Sequence, residues 1–361
     1  MHMADALISP AVGGTMWAVS GGLIAFCARN VKRSLRDNLV PLMGVLGAFI
    51  FAAQMVNFTI PGTGSSGHLG GGLILAVLLG PHAAFLVIAS VLTVQAFFFA
   101  DGGLLALGCN MFNLGFFPSF VAYPLVYRGL GGARGGLARG WAAAVAAAVV
   151  GLQLGAFGVV LETKVSGISE LPFGTFAAVM LPIHLAIGLV EGAATAAVVA
   201  FVARARPEAL RAEPVGGAAS GLRPALFGLA AVAVVLGGAG SWFASTHPDG
   251  LEWSLSKVTG REELAGGDTG LRGKLSGLQS RTAVLPDYGF KPAGAEAGSA
   301  AEQAGAEPEH WPAVRAGTSV SGIVGGLLTL ALAGLAGFAL KGRVAGKKED
   351  GRERHGRSEL D

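Results

Sequence analysis

Long apolar stretches separated by short polar segments dominate the chain, seven of them before residue 205 and two between residues 224 and 341. A membrane-spanning helix needs about 20 apolar residues, and most of these stretches approach that length. The pattern predicts an all-α polytopic membrane protein, with a seven-helix bundle and a two-helix C-terminal module. The expected spans lie at roughly 11–28, 40–58, 69–80, 83–100, 104–127, 141–161, 173–203, 224–244 and 319–340. The third is too short to cross a bilayer, so we expect it to be buried among other helices.

Basic residues mark one side of the predicted membrane region. Their clusters lie at 29–36, 128–139 and 204–211. The polar segments between them, around 58–68, 101–103 and 162–170, carry only Lys164 as a cation. Since segments rich in Lys and Arg stay in the cytoplasm, the pattern predicts an external N-terminus. The first apolar stretch lacks the preceding basic region of a signal peptide, so we expect an intact N-terminus.

Composition supports a membrane location and excludes several other classes of protein. Hydrophobic residues make up 52% of the chain and charged residues only 14%, which is not typical of a soluble globular domain. The 58 glycines allow helices to pack closely in lipid, where no hydrophobic drive brings them together. The basic residues flank apolar stretches, which indicates topology rather than nucleic-acid binding.

Polar segments divide the chain into units. The predicted units are a seven-helix domain (1–205), a cytoplasmic linker (206–223), a two-helix module (224–341) around an external loop (247–317), and a charged cytoplasmic tail (342–361). The linker is rich in Ala, Arg, Pro and Gly, as domain boundaries often are. We expect the Ala/Gly/Glu-rich stretch around 292–309 to be disordered and the tail to be unstructured.

The first two residues form a candidate metal chelate. The terminal amine of Met1, the backbone nitrogen of His2 and the His2 imidazole are able to close on one ion. Planar nitrogen donors suit Ni(II) or Cu(II). His68, in a glycine-rich external segment, offers a fourth nitrogen. The alternative is a frayed terminus and a wetted loop histidine; the shared external location of Met1, His2 and His68 favours metal binding.

Four polar residues near these histidines are candidates to support a metal site. Asn57, Ser65 and Ser66 precede His68, although the two serines equally suit a turn. Asp101 follows the fourth span, where it either caps a helix or turn, or orients a histidine or attracts cations at the entrance. We treat all four as supporting candidates rather than ligands.

Two ionisable residues lie inside the seventh apolar stretch. His184 and Glu191 are seven residues apart, so they share a helix face about two turns apart. Such a pair suits a proton relay, a structural contact or a contact with another subunit. We favour structure or coupling over metal ligation.

The sequence contains no Walker A motif, nucleophile elbow or H-E-x-x-H motif, so we expect no ATPase site or other enzyme activity. Two alternatives to a transport component stay open. One is a membrane-bound metalloenzyme that uses His68, His184 and Glu191. The other is an ion-coupled metal carrier acting alone, a class often built from internal repeats, which are not evident here.

Several short segments carry a family resemblance. They are MHMADALISP at 1–10, GAFIFAAQM at 47–55, SGHLGG at 66–71, FADGGL at 99–104, IH at 183–184 and GLVEG at 188–192. Together they resemble the M-type substrate-specific membrane subunits of cobalt and nickel energy-coupling-factor (ECF) transporters (CbiM/NikM). PDGLE at 248–252 resembles the small N-type subunit (CbiN/NikN). The chain therefore resembles a fusion of the two subunits.

The resemblance implies a seven-helix substrate-binding bundle (an S-component) that holds Ni(II) or Co(II) as cargo, with no other cofactor. The implied ligands are the Met1 amine, the His2 backbone nitrogen and imidazole, and the His68 imidazole. The implied partners in the lipid bilayer of a prokaryotic inner (cytoplasmic) membrane are a transmembrane coupling subunit (CbiQ/NikQ type) and two ATPase subunits (CbiO/NikO type). Ala4-Asp5-Ala6 departs from the Asp-Gly or Glu-Gly turn of many members.

Overall fold

A computed structural model describes residues 1–33, 39–132, 136–205, 223–264, 270–291 and 311–356. Its helices are α1 (Pro10–Arg33), α2 (Leu39–Gln54), α3 (Gly72–Leu79), α4 (Pro81–Val94), α5 (Leu107–Met111), α6 (Gly136–Ser166), α7 (Phe173–Ala205), α8 (Arg223–Gly238), α9 (Gly250–Thr259), α10 (Gly270–Thr282) and α11 (Ala316–Gly356). A π-helical turn, Gln95–Phe99, continues α4, and a π-helix, Phe112–Tyr127, continues α5. The predicted linker and the stretch 292–309 lie outside the described residues, apart from Arg223 at the start of α8.

Five helical segments of the described chain are long and apolar enough to cross a membrane. They are Pro10–Arg33, Pro81–Phe99, Gly136–Ser166, Phe173–Arg204 and Ala316–Lys341. α2 and residues 226–238 of α8 are shorter apolar helices. The prediction of a helical, multi-pass membrane protein is confirmed at this level, and the division into seven plus two spans stays a prediction.

The short third stretch forms α3, which is buried as expected. Residues 72–76 are all buried, and Gly72 packs directly against the π-helix. A Cβ on Gly72 would lie 2.5 Å from the carbonyl oxygen of Leu114, so only glycine permits this approach. Proline begins the next helix: Pro81 occupies the first turn of α4, where its missing N–H costs nothing.

A short hairpin adds to the helical architecture between α2 and α3. Strands β1 (Phe58–Ile60) and β2 (Ser65–Gly67) pair antiparallel, with Thr59 opposite Ser66. Gly62 and Gly64 have positive φ in the connecting turn, a conformation that glycine adopts at little cost. Since α2 ends at Gln54, Asn57 lies beyond the helix and not on a helical face with Gln54.

The two modules share one packing surface. α8 and α11 pack against α2, and small residues lie at the contacts, as expected for helices in lipid. Gly237 of α8 lies against Gly322 of α11, and Gly325 of α11 lies against the ring of Phe51. The second module therefore forms a helical layer on the first domain.

The external loop and the tail are more regular than predicted. α9, α10 and a 3₁₀ turn at Pro286–Tyr288 lie within the predicted loop 247–317. α11 extends to Gly356, so most of the predicted unstructured tail is helical, while residues 357–361 lie outside the description. Lys32 and Arg33 belong to the last turn of α1, where they complement the helix dipole.

Candidate metal centre

The N-terminal segment is buried inside the protein. Met1 is 5% exposed, Met3 is fully buried, and a single 3₁₀ turn follows at Asp5–Leu7. The side chain of Asn110 clamps this segment by binding both backbone groups of Met3. The Met3 N–H donates to Asn110 Oδ1 at 2.8 Å, and Asn110 Nδ2 donates to the Met3 carbonyl at 3.2 Å. The Gly103 N–H donates to the same carbonyl at 2.9 Å. The fold thereby holds a chain terminus at a defined internal position.

Asp5 provides the second anchor of the segment. Its Oδ1 accepts the N–H groups of Leu105 at 2.8 Å and Ala106 at 3.0 Å. Burial raises the pKa of Asp5, although these two bonds and the nearby Arg272 lower it. Arg272 of α10 also donates to the carbonyl of Ile8 at 2.8 Å, so the second module covers the segment from outside.

Three possible metal-binding atoms meet at the Met1 amine. The amine nitrogen lies 3.2 Å from His68 Nε2 and 2.6 Å from Asp249 Oδ2. His68 Nε2 lies 3.8 Å from the same carboxylate oxygen. The predicted meeting of Met1 with His68 is therefore present in the structure, together with a carboxylate from the second module.

His2 lies beside this group with its ring parallel to that of His68. The ring centroids are 5.1 Å apart and the planes differ by 9°. His2 Nδ1 lies 2.9 Å from Asp101 Oδ1, and its buried Nε2 has no hydrogen-bond partner among the described residues. Asp101 thus contacts a histidine, one of the roles considered for it. Tyr288 of the second module donates its hydroxyl proton to the other Asp101 oxygen.

The charge states of His68 and Asp101 suit metal binding. Burial, with smaller contributions from the Met1 amine and His2, lowers the pKa of His68 to about 3, so the imidazole is neutral at physiological pH. His68 Nδ1 lies 3.1 Å from the Leu69 carbonyl, which requires a proton on Nδ1 and leaves the Nε2 lone pair towards Met1. Burial alone would raise the pKa of Asp101, but His2 and Tyr288 lower it to about 2.

Glu191 supports the His68 loop from inside α7. Its two carboxylate oxygens accept the N–H groups of Gly70 at 2.8 Å and Gly71 at 3.0 Å. Gln54 donates to the Gly70 carbonyl at 2.9 Å. His184, by contrast, uses Nδ1 for the Met180 carbonyl at 2.8 Å. The structure gives His184 and Glu191 separate partners. The buried Nε2 of His184 has no hydrogen-bond partner among the described residues and lies at a small cavity that Met1 and His68 also line.

Ser65, Ser66 and Asn57 join the two modules. The Ser66 N–H donates to the Pro248 carbonyl at 2.8 Å, and its hydroxyl donates to the His247 carbonyl at 2.7 Å. Ser65 Oγ lies 3.3 Å from the Pro248 carbonyl. The Asn57 carbonyl accepts the Ser245 N–H at 2.7 Å. These hydrogen bonds hold the second module against the hairpin. The support of His68 that we expected from the three residues stays a prediction.

Sequence reasoning missed the contacts that Asp249 and Asn110 make with the N-terminal segment. Asp249 caps α9: its Oδ1 accepts the N–H groups of Leu251 and Glu252, and Glu252 accepts the Asp249 N–H in return. The spacing Asp-x-x-Glu before an apolar helix predicts such a capping box, but not that the cap meets the N-terminus. A buried asparagine in an apolar stretch gives no sign of which backbone it binds.

The arrangement offers nitrogen ligands from the main chain as well as from side chains. No group of three His, Cys, Asp or Glu side chains at metal-binding distance occurs in the part of the chain that the structure describes. The candidate centre therefore depends on the Met1 amine and the His2 backbone nitrogen. Since His2 Nδ1 faces Asp101, closing a planar set of four nitrogens requires the His2 ring to turn towards Met1.

The fold and these donor atoms define a membrane protein with a candidate metal centre, and comparisons with known proteins place it among metal transporters. The family model "Cobalt uptake substrate-specific transmembrane region" (CbiM) matches residues 2–209, and the PDGLE domain matches residues 223–342. The chain belongs to the CbiM family and carries a fused PDGLE domain. The gap between the two matched ranges, residues 210–222, falls within the predicted linker (206–223).

Relatives agree with this assignment. The chain is 36% identical to a putative metal transport protein of Haloquadratum walsbyi, over 58% of this chain and 92% of the relative. It is 38% identical to a putative fused nickel transport protein, NikMN, of Archaeoglobus fulgidus, over 58% of this chain and 68% of the relative. A crystal structure of a transition metal transporter matches with a TM-score of 0.50 and 29% identity, over 58% of this chain and 95% of that one.

The Asn110 clamp predicts how firmly the N-terminus is held. Replacing Asn110 with Ala removes two buried hydrogen bonds to Met3, each worth about 0.5–1.5 kcal/mol. We expect the Met1 amine of the Asn110→Ala protein to react roughly tenfold faster with an amine-directed reagent, as measured by mass spectrometry of the N-terminal peptide. Asn57→Ala is the matched control, since the recorded bond of Asn57 uses its backbone, and its amine should react at the wild-type rate. Equal rates for Asn110→Ala and wild type would contradict the clamp.

Proposed function

We propose that the chain is the substrate-specific component of an ATP-driven ECF-type importer that captures Ni(II) or Co(II) from the external side of a prokaryotic cytoplasmic membrane. The observation that carries the proposal is the buried Met1 amine 3.2 Å from His68 Nε2. A protein seldom buries its terminus, and a terminal amine beside a neutral imidazole suits binding of a transition metal. The names of the relatives, which include cobalt and nickel transport proteins, support this cargo.

The proposed binding mode uses four nitrogens. The Met1 amine, the His2 backbone nitrogen and the His2 imidazole close around the ion, and His68 Nε2 completes the set. His68 needs no deprotonation, because burial lowers its pKa to about 3. The ammonium group of Met1 and the amide of His2 release protons as the ion binds. Planar nitrogen geometry favours nickel slightly over cobalt.

Energy for import comes from outside this chain in this proposal. The proposed partners are a transmembrane coupling subunit of the CbiQ/NikQ type and two ATPase subunits of the CbiO/NikO type. α1 offers a surface for the membrane partner, because only 17% of the residues in its most apolar 18-residue stretch are buried. This is the lowest share among the five candidate spans. Its exposed residues include a stripe of small side chains: Ala11, Gly14, Ala18, Gly21 and Ala25. Such a stripe lets a second helix approach closely in lipid.

The N-terminal chelate is tested by moving the terminal amine. Two residues, Met-Gln, added before Met1 displace the amine and turn the Met1 nitrogen into an amide, and the bulky Gln keeps the new initiator methionine in place, so that the terminus does not become a new chelate one residue shorter. We expect the Ni(II) affinity to fall about 100-fold or more, which corresponds to ~2.7 kcal/mol, as measured by calorimetric titration of the purified protein. The same two residues added after Asp361 should leave the affinity unchanged. Unchanged nickel affinity in the N-terminally extended protein would show that the chelate is wrong.

The α1 surface is tested by blocking the small-residue stripe. A Cβ on Gly21 meets nothing within 4 Å, so Gly21→Leu should leave the fold intact while filling the space a partner helix needs. We expect co-purification with the coupling and ATPase subunits to fall at least fivefold while nickel binding stays unchanged. Gly228→Leu on α8, also with nothing within 4 Å, is the control and should assemble normally. Normal assembly of the Gly21→Leu protein would exclude this face of α1 as the docking surface.

A further inference from the structure

We propose that Asp249 supplies an oxygen ligand to the incoming ion, in a loading site that the two modules share with the Met1 amine and the His68 imidazole. This inference rests on the proposed function, since the ion is the same cargo. It adds a binding step before the four-nitrogen site forms, and it gives the second module a chemical task in that step.

The separations of the three donor atoms fit one ion. They are 2.6 Å between Met1 N and Asp249 Oδ2, 3.2 Å between Met1 N and His68 Nε2, and 3.8 Å between His68 Nε2 and Asp249 Oδ2. Nitrogen and oxygen ligands lie about 2.0–2.2 Å from a divalent transition metal, so neighbouring ligands are ~3 Å apart and opposite ligands are ~4.2 Å apart. The observed triangle falls close to that range.

The two oxygens of Asp249 have separate tasks. Oδ1 accepts the N–H groups of Leu251 at 2.7 Å and Glu252 at 2.9 Å, which begins α9. Oδ2 is turned to the Met1 amine. The same oxygen lies 3.8 Å from His68 Nε2. Helix capping thus fixes the side chain and leaves one charged oxygen for an ion.

Contacts with the hairpin fix the backbone around Asp249. Pro248, the preceding residue, accepts the Ser66 N–H through its carbonyl at 2.8 Å. Trp253 on α9 donates its indole N–H to the Thr63 carbonyl at 3.0 Å. Because Ser66 is two residues from His68, the same strand positions the imidazole and the carboxylate. The relative position of these two ligands is therefore set by secondary structure rather than by a free loop.

A route for a hydrated ion leads to this triangle. A cavity of about 630 Å³ lies between the modules, and His2, His68, Asp101 and Asp249 contribute to its wall. A cavity of only about 10 Å³ lies on the inner side of the same group and is lined by Met1, His68, His184, Asp249 and apolar residues. An ion therefore reaches the triangle from the large cavity, where an exposed carboxylate, Glu263, also lies in the wall.

The loading site differs chemically from the four-nitrogen site. Asp249 offers a hard oxygen ligand, which exchanges for nitrogen donors that late transition metals prefer. The His2 ring, now bound to Asp101 through Nδ1 at 2.9 Å, supplies one of those donors when it turns towards Met1. The His2 backbone nitrogen supplies the other as its amide proton is released to solvent. The ion then loses the Asp249 oxygen and gains the two His2 nitrogens, and the carboxylate no longer contacts the amine.

Rapid-mixing spectroscopy of the purified full chain with Ni(II) tests the proposal. In wild type we expect an early paramagnetic species with mixed nitrogen and oxygen ligands, followed by a planar diamagnetic species. In Asp249→Asn the early species should be lost and loading should slow at least tenfold, while the final spectrum stays the same. Asn is also a favourable N-cap, so α9 is kept. Asp249→Ser, a second capping residue without a carboxylate, should behave as Asp249→Asn does.

Glu263→Gln is the matched control, since it removes the same charge from the cavity wall away from the triangle. It should load within twofold of wild type. Wild-type loading in both Asp249 variants would show that Asp249 is only an ion-pair partner of Met1, and equal slowing in Glu263→Gln would show a general charge effect; either result overturns the loading site. The N-terminally extended protein separates the two proposals: if it forms the planar species normally, the four-nitrogen chelate of the proposed function is wrong, whatever the Asp249 variants show.

Discussion

The pairing of the Asn110 side-chain amide with the Met3 peptide group is the interaction on which the candidate centre depends. A chain terminus normally frays, and ordering each backbone residue costs about 1–2 kcal/mol of conformational entropy. Two hydrogen bonds from Asn110, two to Asp5 and the burial of Met3 offset that cost. A charged amine thereby reaches a buried position, where an imidazole and a carboxylate surround it. Without the clamp, the same residues would be a flexible peptide.

Both modules contribute to the environment of the amine. The first domain supplies His68, held from within by Glu191, and the second supplies Asp249 at the start of α9. Tyr288 extends the arrangement through Asp101 to His2. The fused PDGLE domain is in direct contact with the CbiM domain: hydrogen bonds from Ser66 to residues 247 and 248 hold the second module beside the candidate metal-binding residues.

Sequence reasoning predicted those features of the fold that depend on the spacing of apolar residues and on the distribution of charge. The apolar stretches predicted most helices, and the short third stretch was recognised as a buried element because length alone excludes a crossing. The convergence of Met1, His2 and His68 followed from topology and from the chemistry of histidine. The clamp by Asn110 and the contact of Asp249 with Met1 were not predictable, since the first spans 107 residues of chain and the second 248. Long-range pairing of polar groups leaves no local pattern. The contacts of Ser65 and Ser66 with residues 247 and 248 were equally beyond prediction, because their partners lie more than 180 residues away in the chain.

In the proposed binding mode the chain terminus and two histidines bind one ion. X-ray absorption at the nickel edge of the loaded protein measures this most directly, because it reports the number, type and geometry of the ligands. We predict four nitrogen ligands in a plane, two of them with the outer-shell scattering of imidazole. A six-coordinate, oxygen-rich shell with one imidazole or none would contradict it.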